Sequence, residues 1–470
     1  MKKIYGYAFA SALMALASCS SDAPEIVDGP VLDGEAGYIN LSLKGVSAAT
    51  RGESDVNDVK FFLYKGNSAI NYTQVEKNGN TVIVKVNDVP DNVIAVVNSS
   101  ADYNATLSNP DGFYAKTNTP VMSSAVRYAS NGTESYRTSI SNANLFKSVE
   151  SAKAATDAQK ITVNVDRTVA KVSVAVNEGV EDEDGYVALD KSFDGYTIKF
   201  VIDAVYVNGV ATTTPIKRAL SPLSNGALSI QGGDPIALAN LQGATGSAFW
   251  SNTGFGWENT KHFAMTDDNV KGKSQDEIQI FENCPTTANG HTRDYTHVVV
   301  AGHYVLSGAN APAENADFWT FGVKDGKPVV YTSEAAVKKA MGGTESSVFH
   351  AVYADGGDGS NGRNAVAFYI DNNPAITCVK YGKGCVYYAA AIENVQGVGD
   401  AAIKYGKGIV RNHAYVINVS GISGLGVAVP DPNQPIIPED PDKDNGEYFM
   451  SLQIKVNEFV KVADQDINWE

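Results

Sequence analysis

Short runs rich in Val, Ile, Phe and Tyr recur along this chain between clusters of Asn, Gly, Asp and Pro. Examples are VKFFLYKG, TVIVKVNDV, NVIAVVNSS, YTIKFVIDAVYVNGV and THVVVAGHYVL. The run ITVNVDRTVAKVSVAVNEG alternates apolar and polar residues, a period of two that is typical of strands with one buried face, and the residues between the runs favour turns. Because these runs are not separated by regular helices, we expect an all-β (mainly β) protein without parallel βαβ units.

The strand runs form two blocks, separated by a polar stretch and by the short helical pattern KSVESAKAATDAQK. The clearest helical pattern, SEAAVKKAMG, lies within the second block. A chain of 470 residues is long enough for two or three domains, each with its own core. We therefore expect an N-terminal β-sandwich domain over residues 52–158 and a C-terminal β-sandwich domain over residues 159–428.

The amino end has the pattern of an export signal. Two lysines precede an apolar stretch that ends at residue 18 and is too short to span a membrane comfortably. The sequence LASC at residues 16–19 resembles a bacterial lipobox, so residues 1–18 are predicted to be a lipoprotein signal peptide and Cys19 the lipidated residue. An ordinary signal peptide that happens to contain a cysteine is the alternative.

Overall charge limits the classes of partner. The formal net charge is −16, and no cluster of Lys and Arg offsets it. Nucleic acid and anionic membrane surfaces are therefore poor partners for this chain.

The last 23 residues, 448–470, look like a strand held away from the body. Residues 429–447 precede them and contain five prolines, which cannot continue a sheet and favour a semi-rigid spacer. The segment 448–470 is a candidate donor strand, with apolar residues at Met450, Leu452, Ile454, Val456, Val460 and Val462. The alternative is that this strand folds back onto its own sheet.

A second strand pattern lies near the amino end. Ile39, Leu41 and Leu43 alternate with polar residues, and the loop SAATRGESD follows them. A polar loop with a single arginine is a plausible protease site, between Arg51 and Gly52. Cleavage there would remove residues 19–51 as a propeptide and would leave an apolar groove with unpaired backbone groups. A strand from another subunit fits that need.

Several chemical sites are considered and disfavoured. His297 and His303 are about 20 Å apart along an extended strand, too far for one metal. The loop over residues 355–364 is more typical of a Gly-rich hairpin than of a calcium site. Cys284, Cys378 and Cys385 have no C-x-x-C spacing, and buried thiols with one bridge at most are expected. No motif of a known catalytic site is present, so we expect no enzyme activity, cofactor or metal.

Several motifs together resemble the fimbrillins of the Bacteroidales, the Mfa-like major fimbrial subunits of type V pili. They are NVDRTVAKVSV, FENCP followed by THVVVAGHY, GCVYYAAAI, and GIVRNHAYVINVSGISGLG. Each motif alone is weak, but they occur in order between the lipobox and the tail. The likeness therefore covers nearly the whole chain.

The resemblance implies two transthyretin-like β-sandwich domains with a C-terminal donor strand. It also implies export as a lipoprotein of the outer membrane, with acyl chains such as palmitate on Cys19, trimming after Arg51, and head-to-tail polymerisation into a fimbrium. The implied partners are other copies of the chain, accessory fimbrial subunits, and receptors on host or bacterial surfaces.

A competing function from a different class is a monomeric surface adhesin or glycan-binding lipoprotein. Its sugar platform would draw on Trp250, Trp257 or Trp319, although core packing is the commoner fate of tryptophan. A shaft subunit and an accessory or tip subunit share much of the same pattern.

Overall fold

The computed structural model describes most of the chain between residues 37 and 458. The described residues are 37–45, 59–78, 81–97, 114–115, 122–124, 127–128, 134–135, 137–212, 214–215, 260–267, 272–281, 283, 295–353, 364–371, 373–396, 403–409, 411, 413–438 and 448–458. Within these ranges, no helix has both the length and the apolar character needed to cross a membrane.

The amino-terminal body consists of strands and one short helix, α1 (Val149–Lys153), with a 3-10 turn at Asn142–Asn144. Ser148 is the N-cap of α1, and its hydroxyl accepts a hydrogen bond from the Ser151 amide. The strands are β1 (Gly37–Gly45), β2 (Val59–Lys65), β3 (Ser68–Ile70), β4 (Tyr72–Asn78), β5 (Thr81–Val86), β6 (Asn92–Val97), β7 (Tyr114–Ala115), β8 (Met122–Ser124), β9 (Arg127–Tyr128), β10 (Glu134–Ser135), β11 (Thr138–Ser139) and β12 (Ile161–Arg167).

Nine of these strands form one sheet in the order β3-β2-β6-β8-β12-β1-β5-β4, with β11 paired to β6. Strand β12 illustrates the period of two, because Ile161, Val163 and Val165 are buried while Thr162 and Asn164 are exposed. Side chains from β2 and from β5, which lie well apart in the sheet order, pack into the same hydrophobic cluster. The sheet therefore folds over a core that its separated strands share.

The rest of the described chain contains nineteen strands, a helix α2 (Glu334–Ala340) and a 3-10 turn at Gly382–Gly384. The strands are β13 (Val169–Val176), β14 (Tyr186–Val187), β15 (Thr197–Asn208), β16 (Val210–Ala211), β17 (Thr214–Pro215), β18 (Thr260–Lys261), β19 (Ser274–Phe281), β20 (His297–Ser307), β21 (Phe318–Lys324), β22 (Lys327–Tyr331), β23 (Phe349–Val352), β24 (Ala367–Ile370), β25 (Thr377–Tyr381), β26 (Cys385–Ala391), β27 (Glu393–Gln396), β28 (Ile403–Lys407), β29 (His413–Gly424), β30 (Val427–Ala428) and β31 (Tyr448–Glu458).

Two sheets of this second part face each other as a sandwich. One has the order β19-β13-β29-β31 and the other the order β14-β15-β20-β26-β30. Their shared core takes Val172 and Ile417 from the first sheet and Phe200 and Val300 from the second. The alternating strands of the sequence thus bury one face each against the opposite sheet, about 10 Å away in such packings.

The chain passes from the first body to the second at Thr168. The run ITVNVDRTVAKVSVAV reads as one alternating strand, but its first half is β12 of the amino-terminal sheet and its second half is β13 of the sandwich. The structure therefore moves the division from the predicted position between residues 158 and 159 to a point after Arg167.

A third sheet is inserted in the chain between β20 and β26, with the order β22-β21-β25-β24-β23. It carries α2 and has its own small core, which includes Trp319, Val337 and Met341. This sheet is present in addition to the two predicted β bodies. The predicted mainly-β fold is confirmed, and both predicted helical patterns, KSVESAKAATDAQK and SEAAVKKAMG, contain helices.

Candidate functional site: the leader strand and the tail strand

Strand β1, here called the leader strand, lies inside the amino-terminal sheet. It pairs in parallel with β12, with Leu41 opposite Ile161, and antiparallel with β5, with Leu41 opposite Val82. The relative exposures of Ile39, Leu41 and Leu43 are 0%, 0% and 1%. The strand that the sequence marks for removal is therefore a central strand whose apolar face is fully buried.

The other face of the leader strand is covered by α1 and the segment before it. The Tyr38 amide donates to the Phe146 carbonyl at 2.8 Å, and the Phe146 amide donates back at 2.9 Å. The Asn40 side-chain amide donates to the Ala152 carbonyl at 2.9 Å, and the Ser42 hydroxyl lies 3.1 Å from the Thr162 hydroxyl. Removing this strand would open a groove with polar and apolar walls.

Strand β31, here called the tail strand, pairs with its own body. It runs antiparallel to β29, with Leu452 opposite Val419 and Ile454 opposite Ile417. Met450 is 7% exposed, and Leu452 and Ile454 are partly buried against the sandwich core. The free subunit therefore adopts the alternative considered from the sequence, and use of this strand by another copy stays a prediction.

The proline-rich segment is only in part a spacer. The Ile436 amide donates to the Phe263 carbonyl at 3.0 Å, and the Asn208 side-chain amide donates to the Ile436 carbonyl at 2.7 Å. Val429 and Ile436 are 0% and 1% exposed on the outer face of the sheet that contains β15 and β26. Residues 429–438 are thus fixed to the body, which corrects the predicted free spacer over 429–447.

Because residues 429–438 are held on the body, a shorter part of the chain is left to span the distance to the tail strand. The chain from residue 439 to residue 447 is nine residues long, and a fully extended chain of that length spans about 30 Å. The nineteen residues of a free spacer would span about 60 Å as polyproline II. Apolar residues inside the proline-rich run, at Val429, Ile436 and Ile437, were the sequence signal for this packing.

The remaining predicted site residues lie outside the described residues. They are the lipidation residue Cys19, the processing residues Arg51 and Gly52, and the distal tail residues Val460 and Val462. For Val456, the structure gives its pairing with Tyr415 on β29.

Candidate residues for other chemistry occupy ordinary structural positions. Cys378 and Cys385 are free and buried in different clusters, and burial raises the pKa of each thiol to about 11. Cys284 lies outside the described residues. No group of three or more His, Cys, Asp or Glu side chains able to hold a metal ion was found within the described part of the chain.

Of the three tryptophans considered for a sugar platform, the structure describes one. Trp319 is 7% exposed and packs in the core of the inserted sheet. It also lines a cavity of about 460 Å³ together with Phe349, Tyr353, Phe368 and Lys380. Trp250 and Trp257 lie outside the described residues.

One family model matches part of this chain. Residues 379–465 match the family model described as "Major fimbrial subunit protein type IV, Fimbrillin, C-terminal". That range begins in β25 and contains β26, β29, the proline-rich segment and the tail strand. No curated protein matches this chain.

Several solved structures are similar to this chain at low identity. A fimbrilin from Porphyromonas gingivalis W83 is 14% identical, with 92% of this chain and 99% of that chain covered and a TM-score of 0.37. A putative cell adhesion protein from Parabacteroides distasonis is 12% identical, with coverage of 90% and 99% and a TM-score of 0.37. The tip fimbrial protein Mfa3 from Porphyromonas gingivalis is 10% identical, with coverage of 90% and 98% and a TM-score of 0.31.

Proposed function

We propose that this chain is a structural subunit of a cell-surface fimbrium, because residues 379–465 match the model of the fimbrillin C-terminal region. The family match supports a fimbrial subunit role and agrees with the expectation that the chain is not an enzyme. The subunit is exported as a lipoprotein precursor on Cys19, reaches the outer membrane, and is processed between Arg51 and Gly52. The assembled fimbrium supports adhesion.

The observation that carries this proposal is the position of the leader strand. A strand that is both central in its sheet and upstream of a single-arginine loop can be cut from the chain, and its loss leaves a long groove. Burial of its three apolar side chains contributes about 5 to 9 kcal/mol in total, since each is worth about 1.5 to 3 kcal/mol. The processed subunit therefore needs another strand in that place.

The tail strand is the donor in this proposal. It belongs to the other body, at the edge of a sheet, and nine residues of chain connect it to Pro438. A donor on one body and a groove on the other make the contact between copies heterologous, so successive copies can add without closing a ring. The product of such addition is a filament.

The test begins from residues 20–470, purified as the unprocessed chain and treated with an arginine-specific protease. We expect ladders in electrophoresis without heating and fibres in electron micrographs. The double variant Leu452→Asp with Ile454→Asp should form neither, because two carboxylates would enter the groove. A matched control is Val323→Asp with Val348→Asp, two valines that are 70% and 58% exposed, which should polymerise normally.

The second candidate function, a monomeric surface adhesin, is favoured by one observation, the pairing of the tail strand with its own body. If the chain remains monomeric after complete cleavage at Arg51, the fimbrial proposal fails and the adhesin is the better account. An Arg51→Ala variant, which keeps its leader strand, serves as the uncleaved reference.

A further inference from the structure

We propose that the tail strand enters the neighbouring copy in one register, in which each tail residue takes the place of the leader residue numbered 411 lower. This inference rests on the proposed function and adds to it the alignment and the direction of the exchange. The leader strand reads YINLSLK from Tyr38, and the tail strand reads FMSLQIK from Phe449. The two strands carry aromatic, apolar, polar and basic residues in the same order.

On the core face, the register conserves side-chain volume. Met450, Leu452 and Ile454 take the places of Ile39, Leu41 and Leu43, which are 0%, 0% and 1% exposed. Swaps among Ile, Leu and Met usually cost less than about 1.5 kcal/mol in a packed core. The groove therefore accepts the three tail side chains without a large cavity or overlap.

On the opposite face, the register also matches character. Phe449 takes the place of Tyr38, which packs with Phe146 and Ala152 beside α1. Ser451 takes the place of Asn40, and Gln453 that of Ser42, so polar side chains meet polar surroundings. The aromatic position at the start of the strand is kept.

The exchange also removes a buried polar atom that has no partner. Asn40 is 3% exposed, and its side-chain oxygen has no hydrogen-bond partner within the described residues. A buried acceptor of this kind costs about 1 to 3 kcal/mol. A serine hydroxyl at this position can donate or accept, so the tail strand removes the unpaired oxygen, although it also replaces the hydrogen bond from the Asn40 amide to the Ala152 carbonyl.

Registers shifted by two residues keep the apolar alternation but fail on the polar face. A shift that places Lys455 at the position of Ser42, which is 8% exposed, buries an ammonium group. The opposite shift places the Phe449 ring at the position of Asn40, which is a buried polar position. It also places the Glu447 carboxylate at the position of Tyr38, beside the apolar cluster that includes Phe146 and Ala152. Shifts by an odd number of residues turn Ser451 and Gln453 into the core.

The reverse direction fails at the strand ends. It also places Leu452 at the position of Leu41, but it puts Lys455 at the position of Tyr38, within the cluster that includes Phe146 and Ala152. The forward direction makes the tail strand parallel to β12 and antiparallel to β5 of the neighbouring copy. Gln453 then lies opposite Thr81 of that copy, because Ser42 lies opposite Thr81 in the free subunit.

Cysteine cross-linking between copies measures this register. Full chains carrying Thr81→Cys are mixed one to one with full chains carrying Gln453→Cys, processed at Arg51, and oxidised after polymerisation. Two parallel mixtures replace Gln453→Cys by Ser451→Cys or by Lys455→Cys, which lie on the same face of the strand two residues away. Each single variant polymerised alone is the control for the native cysteines.

We expect covalent dimers, in electrophoresis without reductant, at least ten times more abundant with Gln453→Cys than with the other two partners. Dimers that form preferentially with Ser451→Cys or Lys455→Cys overturn the register while the fimbrial proposal stands. A mixture of Lys85→Cys and Lys455→Cys chains tests the direction, since Tyr38 lies opposite Lys85 and only the reversed strand brings this pair together. Failure of all mixtures to polymerise overturns both proposals.

Discussion

The leader strand and the tail strand have similar sequences but different positions in their sheets. The leader strand is hydrogen-bonded on both sides, to β12 and to β5, whereas the described part of the tail strand is paired on one side, to β29. The leader side chains on the core face are 0–1% exposed, while Leu452 and Ile454 are only partly buried. The two strands therefore differ both in backbone pairing and in side-chain burial.

This difference gives the proposed exchange a direction. A tail strand that leaves β29 for an open groove moves Leu452 and Ile454 from partly buried positions to fully buried ones, which is favourable at about 25 cal/mol per Å² of apolar area. The leader strand has no comparable reason to leave. In the proposed exchange, cleavage of the chain after the leader strand is the step that would make the groove available.

The largest expected effect is a contrast between two leucines in the unprocessed chain. Leu41→Ala should destabilise the amino-terminal sheet by about 2 to 5 kcal/mol, because a fully buried leucine is removed from a core. Leu452→Ala should cost the sandwich about 1 kcal/mol, since that side chain is only partly buried. Hydrogen exchange read by mass spectrometry on peptides from each body measures both.

Peptides from the other body serve as the internal reference in each variant, because the two leucines lie in separate clusters. Equal losses of protection around β5 in the first variant and around β29 in the second would break the comparison. The tail strand would then be as firmly held as the leader strand.

The sequence was sufficient to predict those strands whose two faces differ in polarity. The alternation of Ile39, Leu41 and Leu43 correctly predicted a strand, and the clear helical pattern around Val337 correctly predicted α2. Alternation does not specify a partner, however. It could not tell that β12 and β13 belong to different sheets, because the pattern continues without interruption across Thr168.

The packing of the proline-rich segment against the body could not be predicted from the local sequence pattern either. Proline excludes a continuing strand but does not prevent a chain from lying on a sheet through its neighbours, as Ile436 does here. The apolar second half of β15, from Ala204 to Asn208, is the matching surface, buried on both faces by the core and by this segment. Only the tertiary structure brings the two together.

A smaller effect on local stability is expected from a change at Asn208, which holds the segment 429–438 that precedes the tail strand. The fully buried Asn208 side chain donates to the Ile436 carbonyl and accepts from the Phe263 amide at 2.9 Å. Asn208→Ala leaves both buried backbone groups without these bonds, at a cost of about 1 to 3 kcal/mol. Hydrogen exchange within residues 429–438 should accelerate by one to two orders of magnitude.

The amino-terminal sheet should keep its exchange rates in this variant, and so should β29. Asn364→Ala is a useful companion, because the Asn364 side chain accepts from the Asp431 amide at 2.9 Å but is only partly buried. A smaller acceleration is expected there. Unchanged exchange in both variants would mean that apolar contacts of Val429 and Ile436 hold the segment without help from these amides.

The smallest effect is a dependence on pH that belongs to one body only. All six histidines lie at residue 262 or later, so the leader strand's sheet has none. The hydrogen bond from His303 to Asp203 at 2.8 Å, helped by Glu314 at 3.4 Å, raises the pKa of His303 above its usual value despite burial. The charged imidazole is therefore favoured in the folded sandwich.

A raised folded pKa means that this stabilisation is fully present below the unfolded pKa of about 6.5 and is lost as pH rises through the folded value. Between pH 6 and pH 9 the sandwich should lose stability while the amino-terminal sheet changes little, as read by exchange after correction for the intrinsic rate. His303→Gln should flatten the profile of the sandwich, and His350→Gln, an exposed histidine, should not. An equal slope in both bodies would exclude His303 as the source of the pH dependence, because the amino-terminal sheet contains no histidine.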